Sequence, residues 1–199
     1  SNVITHIKEG FMYVGRQQTI RLVLILSMIS VILAMPYSML MPFFADDILH
    51  VGARGMGILM SVSGVGAIIA SFTLASLPSK KRGLLLLGGG VFLGVSLTGF
   101  AFSSSWPLSL ALIALVGIGS TVRMALSNTL VQYYVDDEYR GRVMSLFMMQ
   151  FGISSFGTFA SGLIAERFGV PWAVGSFSIL LIMVSIFAFI FLPQLRKLE

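Results

Sequence analysis

The feature that most constrains this chain is a series of long stretches without a charged residue. Five such stretches occur among its 199 residues, and they are 24, 25, 40, 23 and 28 residues long. A helix rises about 1.5 Å per residue, so about 20 apolar residues cross the roughly 30 Å hydrocarbon core of a bilayer. Four stretches therefore fit one membrane span each. The 40-residue stretch between Arg82 and Arg123 fits two, because residues 103–107 (SSSWP) provide a turn within it.

Composition excludes a water-soluble globular domain. Only 11% of the residues are charged and the mean hydropathy is +0.94, whereas soluble domains carry roughly 25% charged residues. We therefore predict an all-α, polytopic transmembrane bundle. Its divisions are a cytoplasmic amphipathic linker (1–19), a six-helix transmembrane domain (20–193) and a cytoplasmic tail (194–199). The six predicted helices span 20–44, 55–77, 83–102, 107–135, 143–165 and 171–192, and their short connections predict that successive helices pack as antiparallel neighbours.

The distribution of basic residues predicts the orientation in the membrane. With six spans, both termini lie on the same side as the second and fourth loops. Ten basic residues fall on that side and two, Arg54 and Arg167, on the other, which by the positive-inside rule makes both termini cytoplasmic. This asymmetry explains the net charge of +5 without a nucleic-acid partner. The ten are Lys8, Arg16, Arg21, Lys80, Lys81, Arg82, Arg140, Arg142, Arg196 and Lys197.

Local patterns predict three further features of the helices. Residues 6–18 are amphipathic and basic, which fits either a helix on the cytoplasmic lipid surface or an unstructured leader. Pro36 and Pro42 lie in the outer half of the first predicted span and predict helix kinks there. Small residues four apart predict close helix packing; these pairs are Gly57 and Ser61, Gly66 and Ala70, Gly90 and Gly94, and Gly157 and Ser161.

The distribution of titratable residues argues against an enzyme. All eight acidic residues and both histidines lie in loops, at helix ends or in the tails. The predicted spans thus lack the acid, imidazole or metal-bound water that intramembrane hydrolysis requires. Asp46, Asp47 and His50 cluster at an outer helix end, where we expect a solvated turn in preference to a metal site. We therefore predict no catalytic residues, no metal site and no cofactor.

Arg123 is the one charge predicted to lie inside a span. It follows Pro107 by 16 residues, or about 24 Å along a helix, and a charge at that depth should face a bundle interior or a wet cavity. Asn128 and Gln132 follow on the same helix, and Gln150 comes from the fifth. We predict that these four residues contact a polar or anionic substrate or a partner domain. The alternative is that Arg123 bonds to backbone carbonyls of a kinked neighbour.

Residues 136–145 (DDEYRGRVMS) form the most specific segment of the chain. Glu138 and Arg142 are four positions apart and can pair across one helical turn. Acidic residues at a helix start also suit the helix dipole, so the alternative is that the segment is only a solvated cap. A weak repeat at an offset of 86 residues pairs Gly66 with Gly152 in helices that run in opposite directions. Such three-plus-three inverted repeats occur within transporter halves.

Residues 136–145 resemble the signature before the eleventh helix of major facilitator transporters, in the branch of enterobactin exporters and macrolide efflux proteins. Other segments resemble that family in the same order. Residues 6–21 resemble the segment between its halves, 35–45 its seventh helix, 80–83 a degenerate loop between its eighth and ninth helices, and 163–169 its eleventh-to-twelfth turn. The resemblance covers essentially the whole chain, but only the carboxyl-terminal half of the family.

This resemblance implies a secondary transporter of the bacterial inner membrane that exports drugs or siderophores by alternating access and proton antiport. The implied partners are the lipid bilayer, an amino-terminal six-helix half and a small-molecule substrate held between the halves. Without that half, the chain alone would not transport. The resemblance further implies a cytoplasmic gate formed by Glu138, Arg140, Arg142, Lys80, Lys81 and Arg82.

Two alternatives stay open from the sequence. Six helices could form a half-size homodimeric transporter or channel that self-associates through the face carrying Arg123. They could also form a membrane scaffold subunit without a transport role, in which replacement of Arg123 would have no phenotype.

Overall fold

The computed structural model describes residues 3–76 and 81–198, with the side chains of the first helix described from Lys8 onward. Over these residues the secondary structure is helical and contains no strand, and six segments are long and apolar enough to cross a membrane. The prediction of an all-α bundle with six membrane-spanning helices is therefore confirmed. The elements are α1 (Val3–Arg16), α2 (Gln18–Ala34), α3 (Pro36–Phe43), a π-helical turn (Phe44–Ile48), α4 (Gly52–Ser76), α5 (Arg82–Ala101), α6 (Trp106–Tyr134), α7 (Arg140–Phe168), α8 (Val170–Phe191) and α9 (Pro193–Arg196).

The helix boundaries follow the edges of the apolar stretches. Helices α5, α6 and α8 begin and end within one residue of the predicted bounds, whereas α7 extends three residues further at each end. The extra turns of α7 contain Arg140 and Arg142 at one end and Arg167 at the other, so the helix continues beyond its apolar part. The predicted end of the second span, Leu77, lies outside the described residues.

The first span is not one continuous helix. Helix α2 ends at Ala34, Met35 separates it from α3, and Pro36 opens α3, in whose interior Pro42 lies. Proline lacks an amide hydrogen, so it cannot donate the usual helical bond. Beyond α3 the backbone widens, and the amide of Leu49 donates to the carbonyl of Phe44 over 2.9 Å. The span thus reaches Ile48 as three helical pieces.

Helix neighbours are set by small residues, and the prediction that successive helices pack together is wrong for α4 and α5. Helix α4 packs chiefly on α6, whereas α5 packs on α6 and α8. A Cβ atom added to Gly66 in α4 would lie 2.2 Å from the carbonyl oxygen of Ala114, and one added to Gly117 in α6 only 2.1 Å from that of Ser63. Backbones this close give membrane helices their packing energy.

Helix α1 packs against the bundle, so residues 3–16 form a helix and not an unstructured leader. Gly10 lies against α7, where an added Cβ would come within 3.3 Å of the Cβ of Arg142. Val14 is buried in the same apolar cluster as Leu146 of α7 and Leu130 of α6. The amphipathic face of α1 therefore covers the end of the bundle where α6 meets α7.

Candidate functional site

Arg123 lies inside the six-helix bundle. Its side chain is only 6% exposed and lines a narrow cavity between α2, α5, α6 and α8. Its Nε and Nη1 atoms are buried and have no hydrogen-bond partner among the described residues. These two nitrogens therefore do not form the hydrogen bonds to backbone carbonyls that were the alternative prediction for Arg123. The hydroxyl groups that line the same cavity belong to Ser27, Ser30, Ser127 and Ser185.

Gln150 is also buried, with 1% of its surface exposed. Its Oε1 atom accepts a hydrogen bond of 2.7 Å from the hydroxyl of Ser27. This bond joins α7 to α2, and through Ser27 it connects Gln150 to the cavity that holds Arg123. Ser27 thus lines the cavity with Arg123 and also bonds to Gln150.

Asn128 and Gln132 lie on a different face of α6. Asn128 follows Arg123 by five residues, or about 140° around the helix axis, and Gln132 is exposed. The Nε2 group of Gln132 donates a hydrogen bond to Oδ1 of Asn128. Asn128 lines an open groove on α6 together with Ser120, Thr121, Met124, Ala125 and Thr129. The four predicted residues therefore form an interior pair and a surface pair, and not one site.

The charged segment between α6 and α7 forms different ion pairs from those predicted. Arg142 pairs with Glu9 of α1 over 3.2 Å and lies 5.2 Å from the centre of the Tyr139 ring. Arg140 pairs with Asp137 over 2.6 Å. Pairing of Arg142 with Glu138 was therefore the wrong expectation. Because α7 begins only at Arg140, Glu138 stands in the preceding turn and is not one helical turn from Arg142.

Tyr13 of α1 makes two more contacts with this segment. Its ring stacks on Tyr139 with 4.4 Å between the centroids, and its hydroxyl accepts a 3.0 Å hydrogen bond from the amide of Asp136. Burial raises the pKa of the Tyr13 phenol above its usual value of 10.0. The sequence analysis missed these contacts. The signal was the four-residue spacing of Glu9 and Tyr13, which puts both on one face of α1.

Lys81 and Arg82 lie at the start of α5, and Lys80 lies outside the described residues. Lys81 adopts a left-handed backbone with φ of 62°. Gly83, two residues further on, packs on the carboxyl-terminal segment, since its amide donates to the carbonyl of Leu198 over 3.2 Å. By helix order these residues share one end of the bundle with the α6–α7 segment.

Acidic residues at the opposite end form a turn. His50 Nδ1 lies 2.9 Å from the carbonyl oxygen of Asp46. Within residues 3–76 and 81–198, no group of three or more His, Cys, Asp or Glu side chains is arranged to hold a metal ion.

Six membrane-length helices around a buried arginine define an α-helical membrane protein. The sequence profile of the Major Facilitator Superfamily matches residues 23–199. The chain belongs to this superfamily, whose members are transporters and not enzymes.

Named relatives are similar over nearly the whole chain. The multidrug efflux pump Tap of Mycolicibacterium fortuitum is 26% identical over 99% of this chain and 48% of its own length. The staphyloferrin A transporter of Staphylococcus aureus is 27% identical over 90% of this chain and 44% of its own length. Macrolide efflux protein A of Streptococcus pyogenes is 23% identical over 100% of this chain and 50% of its own length. The chain thus spans about half the length of the curated relatives it matches.

Proposed function

We propose that this chain is the carboxyl-terminal half of a secondary transporter that exports small amphipathic molecules, either drugs or a siderophore. The observation that carries the proposal is the match of six spans to half the length of relatives named for multidrug efflux, macrolide efflux and staphyloferrin A transport. Alternating access around a site between two halves then follows from the architecture of the superfamily.

The open groove on α6 is the proposed substrate wall. Asn128 offers an amide in the groove, and Ser120 and Thr121 add hydroxyl groups on the same helix. Gln132 does not line the groove but donates to Asn128 from the next turn of α6. A mostly apolar surface with a few polar groups suits amphipathic molecules of varied shape. Arg123 and Gln150 are buried in the interior of the bundle, and their proposed role is to support this wall from inside the half.

The energy source is proposed to be proton antiport, with the proton carried by a carboxylate outside this chain. The four helices around Arg123 (α2, α5, α6 and α8) contain no Asp or Glu, so the other half would supply the acidic group. The bacterial sources of the relatives support a location in the bacterial inner membrane, and the positive-inside distribution of charge supports cytoplasmic termini. The same end then forms the cytoplasmic gate, with Glu138, Arg140 and Arg142 in one segment and Lys80, Lys81 and Arg82 in the other.

An efflux assay tests the substrate wall. The full-length protein that contains this chain is expressed in an efflux-deficient bacterium, and accumulation of ethidium and erythromycin is measured with and without a protonophore. We expect efflux that the protonophore abolishes, and a several-fold loss in the Gln132→Ala and Asn128→Ala variants at equal expression. Gln194→Ala is the matched control, since Gln194 is exposed in α9.

Three outcomes would contradict parts of this proposal. Wild-type efflux by both amide variants would remove the α6 groove from the substrate path. Efflux that persists with a collapsed proton gradient would exclude proton antiport. Transport by the 199-residue chain alone in proteoliposomes would favour the half-size homodimer.

A further inference from the structure

A cavity opens between α4, α5 and α6 at the proposed cytoplasmic end of the bundle. Helices α4 and α6 touch at Gly66, where an added Cβ would meet the backbone of α6. Further along α4 the contact gives way to a cavity of about 320 Å³. Each of the three helices contributes to its walls, with Leu74 from α4, Leu85 from α5 and Thr129 from α6.

This cavity lies at the depth where lipid headgroups meet the acyl chains. Ala75, which lines it, is the last residue but one of α4, and Arg82, which also lines it, is the first residue of α5. The ends of membrane-spanning helices lie at the boundary between hydrocarbon and headgroups. The mouth of the cavity is therefore next to the headgroups of the cytoplasmic leaflet, and its deeper part is next to their acyl chains.

Arg82 gives the mouth of the cavity a positive charge. Among the described residues that line the cavity, it is the one that is charged, and it is half-buried. A guanidinium group has five N–H donors in a planar fork that matches the oxygen atoms of a phosphate. Several acceptors can therefore share the group at the same time. Thr129 adds a hydroxyl to the same cavity.

The rest of the cavity is mostly apolar. Leu74, Leu85 and Ala75 provide hydrocarbon walls. Ser71 also lines the cavity, but its hydroxyl donates to the carbonyl of Ala67 within α4 over 2.9 Å. A ligand that fits this lining has an anionic head at the mouth and a hydrocarbon part inside.

From these observations we propose that the cavity binds an anionic phospholipid of the cytoplasmic leaflet, with the headgroup phosphate on Arg82 and an acyl chain against Leu74 and Leu85. Basic pockets between membrane helices on the cytoplasmic side are suited to anionic headgroups. Ala125 and Thr129 line both this cavity and the open groove on α6. The bound lipid therefore forms one edge of that groove, whatever molecule the groove itself accepts.

Lipid-dependent stability tests this site. The purified full-length protein that contains this chain is unfolded thermally in detergent while phosphatidylglycerol, phosphatidylcholine or glycerol 3-phosphate is added. A ligand that binds only the folded state raises Tm in a saturable way. We expect this for phosphatidylglycerol, but not for the zwitterionic lipid or for the phosphate that lacks acyl chains.

Variants assign the effect to this cavity. In Arg82→Gln we expect the half-saturating concentration of phosphatidylglycerol to rise about tenfold, the loss expected of one charge-assisted hydrogen bond. Lys197→Gln is the matched control, because it removes an exposed charge at the same end of the bundle and should leave this concentration unchanged.

A second variant keeps the charge and fills the space. Ala75→Phe should abolish the effect of phosphatidylglycerol, whereas Thr73→Phe, which adds the same ring at an exposed position of α4 away from the cavity, should retain it. This pair decides the question if Arg82→Gln does not fold.

Three outcomes would overturn the proposal. The first is an equal Tm in phosphatidylglycerol and phosphatidylcholine. The second is an unchanged response to phosphatidylglycerol in Arg82→Gln or in Ala75→Phe. The third is stabilisation by glycerol 3-phosphate as strong as that by the lipid, which would make the cavity a site for free phosphate compounds.

Discussion

Glu9 in α1 and Arg142 in α7 form an ion pair with 3.2 Å between Oε2 and Nη2, although 133 positions separate them in the chain. The pair sits beside the stacked rings of Tyr13 and Tyr139. Helix α1 is therefore attached to the start of α7 and to the turn before it by an ion pair, by ring stacking and by the hydrogen bond from the Asp136 amide to the Tyr13 hydroxyl. Because α1 precedes the first span, a movement of the segment before the bundle would be transmitted to the proposed cytoplasmic gate.

Removing the charge of Glu9 should loosen this attachment without unfolding the bundle. The two side chains are 42% and 26% exposed, so their coupling should not exceed about 1 kcal/mol. We expect Glu9→Gln and Arg142→Gln each to broaden the distribution of distances between spin labels at positions 12 and 148. The charge-swapped double variant, Glu9→Arg with Arg142→Glu, should make this distribution narrow again. Unchanged distances in both single variants would show that the aromatic contacts alone hold α1.

The raised pKa of Tyr13 predicts that the contact of α1 with the segment before α7 depends on pH. Burial raises the native pKa of Tyr13 above the unfolded value of about 10. A neutral phenol is therefore favoured in the docked state, so the stability that Tyr13 contributes is fully present below pH 10 and is lost as the pH rises through the native pKa. Exchange of the Asp136 amide should accelerate over that range more than simple base catalysis predicts. Tyr13→Phe, which keeps the ring but removes the acceptor, should show fast exchange at all pH values.

Two glycines of the α4–α6 contact should tolerate no side chain. In Gly66→Ala the new Cβ would lie 2.2 Å from the carbonyl oxygen of Ala114, so the helices must separate, at a cost of about 1 to 3 kcal/mol. Gly117→Ala should behave alike. Gly64→Ala is the matched control, because nothing lies within 4 Å of its added Cβ. Thermal unfolding in detergent measures the difference, and equal Tm values for Gly64→Ala and Gly66→Ala would contradict the close approach.

The effects on stability of replacing Ser27 and Gln150 should be strongly coupled, because the two side chains share a buried hydrogen bond. Ser27→Ala leaves Oε1 of Gln150 buried without its donor, and bonds of this kind in membrane proteins are worth about 0.6 to 2 kcal/mol. We expect the double variant Ser27→Ala with Gln150→Leu to lose less stability than the sum of the single variants. Ser71→Ala provides the control, since Ser71 is exposed and bonds only to its own helix. Additive losses would show that the two residues act independently.

Some of the fold could be predicted from the sequence because it depends on local properties. The length of an apolar stretch sets where a helix can cross the bilayer, so α5, α6 and α8 were located to within one residue. The depth of Arg123 followed from counting residues along one helix. Burial of that side chain in the interior followed from the cost of exposing a charge to lipid.

Other features depend on which helices meet, and the sequence carried no information on that. Glu138 is four residues from Arg142, yet Arg142 pairs with Glu9, because the helix starts too late for the local pair and α1 lies across its end. Asn128 and Arg123 share a helix, yet they face different surroundings. The four-residue spacing of small residues is the same for Gly57 and Gly66, so it did not indicate that Gly57 faces open space while Gly66 touches Ala114.

The sequence by itself therefore determined the solvent, the number of spans and the bounds of α5, α6 and α8 to within one residue, because transfer of a helix into lipid depends on its own residues. Only the tertiary structure decided the helix neighbours, the partner of Arg142 and the separation of the interior polar pair from the surface one. Lipid tails are as apolar as the helix surfaces, so hydrophobicity does not choose between neighbours. The choice comes from close backbone contacts and buried polar bonds between residues distant in the chain.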